Sequence, residues 1–204
     1  MIKNIIFDMG GVLIDWAPLH LILNSGVDKQ DSDILLKELF KEVEWVALDA
    51  GTISYEEAFA SVSKRIPDRL HDHLKFLIEK WWTLPFVYKE GMDDLIQELF
   101  ENGYKIYLLS NASIDQKNYF ERLPSNKCFS GRVTSAEIKM LKPHHQIYEY
   151  ICNKYDLNKD ECYFIDDSSS NVYSAIQYGF KASVFFDCER LRKNMSLAGI
   201  SLKG

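Results

Sequence analysis

The stretch DDLIQELFENGYKIYLLSN, residues 93–111, changes its period halfway along. Leu95, Ile96, Leu99 and Phe100 recur at helical spacing and fall on one face. Gly103 stops that helix, since glycine takes up the left-handed turn that closes a helix end. Residues 104–109 (YKIYLL) then read as a strand. A helix, a glycine stop and a short apolar strand make half of a βαβ unit.

The same grammar continues downstream. Residues 113–121 read as helical and 129–134 as a short strand. Pro143 opens a helix with Ile147, Tyr148 and Ile151 on one side, and 162–165 (CYFI) is a strand. Val172, Ala175 and Ile176 mark the next helix, which ends near Gly179, and 182–186 (ASVFF) is the last clear strand. Upstream, 2–7 (IKNIIF) is a β-branched strand. Residues 17–83 then carry almost no strand signal. Ser54 and Glu57 form a capping box that starts one helix after the turn at Gly51, and Pro67 stands where another could begin. Alternating strands and helices predict an α/β fold: a doubly wound, Rossmann-like parallel sheet with helices on both faces. The all-helical stretch interrupts it. The expected division is a core of 1–15 and 86–204 with an inserted helical domain, 16–85.

Composition narrows the function. The net charge of −6 gives no electrostatic drive towards nucleic acid or an anionic membrane. No apolar run is long enough to span a bilayer, and Asp8 interrupts the apolar N-terminus where a signal peptide would not. Cys128, Cys152, Cys162 and Cys188 contain no CxxC spacing, so reduced thiols and a cytoplasmic location are expected. Nothing demands more than a monomer.

In an open parallel sheet, sites form beyond the carboxyl ends of the strands. After the first strand come Asp8, Gly10 and Gly11; after YKIYLL, Ser110 and Asn111; after CYFI, Asp166 and Asp167. Lys142 precedes Pro143 at a loop-to-helix junction. Each has an ordinary reading alone. Asp8 could cap a loop, Ser110, Asn111 or Asp166 a helix, and Lys142 could be a solvated lysine. Two adjacent carboxylates repel, however, and a cap needs one; a divalent cation would relieve the repulsion. The pairs His71/His73 and His144/His145 point apart on a helix and make no chelating pair. Trp45, Trp81 and Trp82 read as packing for the helical segment or its hinge.

FDMGGVLID (7–15), LLSN (108–111), LKP (141–143) and FIDDSSSN (164–171), in this order, resemble the four signature motifs of the haloacid dehalogenase-like hydrolase superfamily. Segment 16–85 takes the place of that family's helical cap. The branch it most resembles holds sugar-1-phosphate phosphatases and the phosphatase domain of soluble epoxide hydrolases; residues 49–59 (DAGTISYEEAF) are similar to it too. The resemblance implies a Mg²⁺-dependent phosphatase of a small phosphorylated metabolite, a sugar phosphate. Asp8 is then the nucleophile that forms an aspartyl-phosphate. Mg²⁺ is held by Asp8, the Gly10 carbonyl and Asp167, with Asp166 acting through water. Ser110, Asn111, Lys142 and the N–H groups of Gly10 and Gly11 bind phosphate, and Asn171 supports them with a hydrogen bond from behind.

One position departs from the pattern. Phosphatases of the superfamily usually carry an acid/base aspartate two residues after the nucleophile, and here that residue is Gly10. Three accounts stay open: a leaving group that needs little protonation, a substitute acid such as Asp15 or a cap residue, or lost catalysis with retained phospholigand binding. Metal-free dehalogenases of the superfamily also lack the acid, but they lack the acidic pair as well, so phosphatase is preferred to dehalogenase. Trp16, Trp45 and Asp49 are candidates for setting specificity.

Overall fold

The computed structural model describes residues 1–202. Five strands form one sheet: β1 (Asn4–Phe7), β2 (Lys105–Ser110), β3 (Phe129–Thr134), β4 (Cys162–Asp166) and β5 (Lys181–Val184). All pairings are parallel, in the order β3-β2-β1-β4-β5. β1 and β4 are buried along their whole length, which is why they read as unbroken apolar runs rather than alternating ones.

Five helices lie between β1 and the rest of the core: α1 (Pro18–Asn24), α2 (Lys29–Leu35), α3 (Val43–Asp49), α4 (Tyr55–Val62) and α5 (His71–Glu79). The Ser54 hydroxyl accepts from the Glu57 N–H at 3.1 Å, and the Ser54 N–H donates to the Glu57 carboxylate at 2.8 Å, completing the capping box of α4. Pro67 leads into a 3-10 turn (Asp68–Leu70) before α5 rather than starting the helix itself. Leu35, Leu39, Leu74 and Leu77 are fully buried between these helices, and their apolar cluster runs on into one face of the sheet. The chain enters and leaves this segment side by side. The Asp15 N–H donates to Val87 O at 2.7 Å and the Lys89 N–H to Leu13 O at 3.0 Å.

The core continues with α6 (Met92–Glu101), α7 (Gln116–Phe120), α8 (Ser135–Ile138), α9 (His145–Tyr155), α10 (Ser169–Tyr178) and α11 (Cys188–Leu197). Ile5, Phe7, Ile106, Leu108 and Ile165 face Leu95 and Leu99 of α6 and Leu191 and Met195 of α11. Ile6, Leu109 and Phe164 face Ile147, Tyr148 and Ile151 of α9 and Ala175 of α10. Alternate residues of each strand thus feed two apolar layers, as the doubly wound reading requires.

Some boundaries and faces differ from expectation. Phe100 and Ile176 are about half exposed, because each stands 100° round its helix from the last buried residue, Leu99 or Ala175. The helix expected over 113–121 shortens to α7. Helix α11 was not expected: only Leu191 and Met195 of its ten residues are buried, too sparse a stripe to reveal a period. Among the described residues no helix is long and apolar enough to cross a membrane. All four cysteines are free thiols.

Candidate active site

β1 lies in the middle of the sheet, where connections depart to both sides, and this opens a crevice at its carboxyl end. Phe7 pairs with Leu108 of β2 and with Ile165 of β4, so the three strands end level. Asp8, Ser110 and Asp166 are therefore delivered to one edge.

Lys142 joins them from the loop before α9. Its ammonium donates to Asp166 Oδ2 at 2.6 Å and to Leu109 O at 2.8 Å, and lies 2.9 Å from Asp8 Oδ1. Burial would lower the Lys142 pKa, but the charges of Asp166 and Asp8 overrule it and hold the ammonium well above the ordinary lysine range. Two of its protons go to protein acceptors and its charge lies beside Asp8, so Lys142 balances carboxylate charge before any ligand arrives. Asn111 places this lysine: its carboxamide accepts from the Lys142 N–H at 2.8 Å and donates to Lys142 O at 2.9 Å. The Asn111 side chain is thus engaged with main chain and is not turned to a phosphate.

Asp166 is fully buried. Besides Lys142 it accepts from Asn171 Nδ2 at 3.0 and 3.1 Å and from the Ser168 N–H at 2.8 Å. Asn171 therefore stands behind the acidic pair. Asp167 is exposed towards the crevice.

The donor set suits a hard divalent cation. One oxygen from each of Asp8, Asp166 and Asp167 lies within 4.8 Å of the others, the one such cluster among the described residues. Asp8 Oδ1 is buried without an aligned hydrogen bond, an orphaned acceptor facing this cluster. Burial, opposed by Lys142 and assisted by Asp166, pushes the Asp8 carboxyl up to about 7. Burial and the Asp166 charge raise Asp167 as well. Crowded, oxygen-only anions of this kind fit Mg²⁺ better than Zn²⁺.

The two glycines differ. Gly11 has φ +76°, and a Cβ there would lie 2.3 Å from Asp167 Oδ2, so only glycine leaves room for the carboxylate. Its N–H is engaged with Ile14 O at 2.8 Å and does not reach towards a phosphate, contrary to expectation. Gly10 lines the pocket and lies outside the left-handed region; a Cβ there would meet Trp16 Cβ at an ordinary 3.6 Å. The missing acid at this position is not imposed by loop geometry.

A cavity of about 230 Å³ rises from this edge. Asp8, Gly10, Ser110, Asn111 and Asp167 form its floor, and Trp16, Trp45, Asp49, Trp81 and Tyr119 its walls. The Trp16 ring packs at 5.1 Å from Trp81 and 5.8 Å from Trp45. Trp45 and Trp81 thus line the site as well as pack. Periodicity gives no sign of Trp81, Tyr119 or Ser113 at the pocket, since their approach depends on how the helical segment folds back. Asp15 is not in the lining; its carboxylate pairs with Lys89 at 2.8 Å. Two hydrogen bonds tie the segment to the core beside the pocket: Tyr55 to Asp115 and Ser135 to the Asp49 carbonyl, both at 2.5 Å.

Known proteins resemble this chain in both sequence and fold. Residues 2–179 match the family described as haloacid dehalogenase-like hydrolase. A sesquiterpene phosphatase of Aspergillus oryzae is 26% identical over 87% of this chain and 86% of its own, and a D-ribitol-5-phosphate phosphatase of Bacteroides thetaiotaomicron 26% over 89% and 90%. A haloacid dehalogenase family enzyme of Bacteroides thetaiotaomicron, solved with magnesium and inorganic phosphate, superposes with a TM-score of 0.71 at 23% identity, covering 94% of this chain and 99% of that one.

Proposed function

The chain belongs to the haloacid dehalogenase-like hydrolase family, and from that premise we propose that it is a Mg²⁺-dependent phosphatase of a small phosphorylated metabolite. The observation that carries this reading is the orphaned, buried Asp8 oxygen among three carboxylates and one lysine. Such a cluster is self-repelling until a cation enters, and a dehalogenase has no use for the added charge of Asp167. The relatives named as phosphatases support the same reaction class.

When bound, Mg²⁺ supplies the positive charge that lets an anionic nucleophile approach an anionic ester; Asp8, Asp167 and the Gly10 carbonyl are the groups to hold it, with Asp166 behind them. Asp8 attacks phosphorus and is phosphorylated. Ser110, buried at the end of β2 on the pocket floor, donates its hydroxyl to a phosphoryl oxygen. Lys142 favours the anionic form of Asp8, against the effect of burial, and holds it in place. Three tryptophans line the pocket walls, an apolar surround that suits the C–H face of a sugar phosphate and keeps water away. Every named group comes from one chain, so the reading requires no second copy, and its free thiols suit the reducing cytoplasm.

A panel of phosphorylated metabolites tests this. Phosphate release is expected with Mg²⁺, with loss of at least 100-fold in chelator or in Asp8→Asn. Undiminished release in chelator would overturn the metal reading. Halide release without metal would point to a dehalogenase, and tight binding without turnover to a phospholigand-binding protein.

A further inference from the structure

We propose that Asp49, carried by the helical segment, is the general acid that protonates the leaving oxygen. This rests on the phosphatase reading above. The loop after β1 offers no acid, since its second position is Gly10. Asp15 is committed to Lys89 outside the pocket. Within the lining, Asp8 is the nucleophile and Asp167 belongs to the cation site. Tyr119 is a poor proton donor, because burial pushes its hydroxyl well above the ordinary tyrosine range. The Asp49 carboxyl is the remaining strong candidate in the wall.

Three features suit it to the role. First, its carboxylate makes no hydrogen bond or ion pair with any of the described residues, unlike Asp8 and Asp166, so its proton is uncommitted. Second, its main chain is pinned to the phosphate-site loop. Ser135 Oγ donates to Asp49 O at 2.5 Å and accepts from the Ala112 N–H at 2.9 Å, two residues after Ser110. Third, the backbone next to it approaches the core so closely that a Cβ on Gly51 would lie 2.3 Å from Ala136 O. The acid is thereby presented from the wall while the nucleophile rises from the floor. Burial, with the charge of Asp8 in support, pushes the Asp49 carboxyl up to about 7, so it can carry a proton near neutrality.

The step balances. An Asp8 oxygen forms a bond to phosphorus as the bond to the leaving oxygen breaks; that oxygen keeps the electron pair and takes the Asp49 proton. The resulting Asp49 carboxylate removes a proton from the water that attacks the aspartyl-phosphate. Phosphate leaves, Asp8 returns to a carboxylate and Asp49 is protonated again.

A leaving-group series tests the assignment, because proton donation matters most for a basic leaving oxygen. In Asp49→Asn, kcat/KM with Mg²⁺ is expected to fall about 100-fold or more on an alkyl phosphate and only a few-fold on 4-nitrophenyl phosphate. Melting temperature reports whether the variant folds. In the double variant that combines Gly10→Asp with Asp49→Asn, a carboxyl returns at a position where a Cβ has room, and the alkyl ester is expected to regain at least tenfold. An equal loss on both esters would assign Asp49 to binding or to segment closure and overturn the proposal, as would no loss on either. A wild-type protein that releases phosphate from neither ester would overturn the phosphatase reading, and this assignment with it.

Discussion

Lys142 and Asp166 show how one buried pair organises the site. Asp166 receives Lys142, Asn171 and a backbone N–H, so its removal takes the strongest partner from an ammonium that is 4% exposed and leaves it only Leu109 O and Asp8. Breaking a buried pair from one side costs roughly 3–5 kcal/mol. Asp166→Ala is therefore expected to lower stability to unfolding by about that amount, as read by denaturant melts. Asp167→Ala removes an exposed, repelled carboxylate and is expected to change stability by less than about 0.5 kcal/mol. The metal response should invert this ranking. Mg²⁺ raises the melting temperature of whatever it binds in the folded state, and Asp167→Ala is expected to lose that rise. An equal Mg²⁺ shift in wild type and Asp167→Ala would remove Asp167 from the cation site. The motif alone assigns Asp166 the lesser role, as a distant ligand; its partners in the fold make it the greater structural one.

The helices of the inserted segment are joined by charge as well as by leucines. Arg65, past the end of α4, donates to both oxygens of Glu44 on α3 at 2.8 and 3.0 Å and to Glu38 at 3.1 Å. Ser61 of α4 donates to Glu44 at 2.6 Å. These hydrogen bonds, those from Arg65 foremost, hold the Glu44 carboxyl down to about 2 from an ordinary 4.5. A depressed acid contributes stability that is complete above its unfolded value and is lost as pH falls towards its folded one. The contribution of Glu44 should therefore be full above about pH 4.5 and fade towards pH 2. Glu44→Gln is expected to lower stability by about 1–2 kcal/mol at neutral pH and to flatten the acid limb of the stability curve over that window. An unchanged acid limb in the variant would separate Glu44 from acid unfolding. Sequence shows these residues as charges on helices but not as partners: Arg65 and Glu44 are 21 positions apart, and only the turn after α4 brings them together.

Taken as a body, the chain offers two connections at the hinge and two latches at the pocket. The segment expected over 16–85 joins the core through paired backbone at Asp15 and Val87, while Tyr55 and the Asp49 carbonyl fasten to Asp115 and Ser135. We take this as a cover that closes by forming the latches and opens about the paired backbone. Tyr55→Phe removes one latch without touching the floor. It is expected to lower kcat/KM about three- to tenfold and to speed hydrogen exchange around residues 84–88; unchanged exchange would show that the latch does not govern opening. The sequence alone determined the sheet, because β1, β2 and β4 are largely apolar runs whose burial does not depend on distant detail; β2 and β4 end in Ser110 and Asp166, and Asp8 follows β1 directly. It also brought Asp8, Ser110, Asp166 and Asp167 to one sheet edge, since strand ends in a parallel sheet converge by topology, whereas Lys142 reaches that edge from the loop before α9. The pocket walls were decided only in three dimensions. Trp81, Tyr119 and the approach of Asp49 depend on how a helical segment folds back on the sheet edge, and the local period of a helix says which face is apolar but not what that face will meet. The same holds for Gly10 and Gly11: adjacent and identical in sequence, they are separated by one backbone angle and by a carboxylate that arrives from a strand more than 150 residues away.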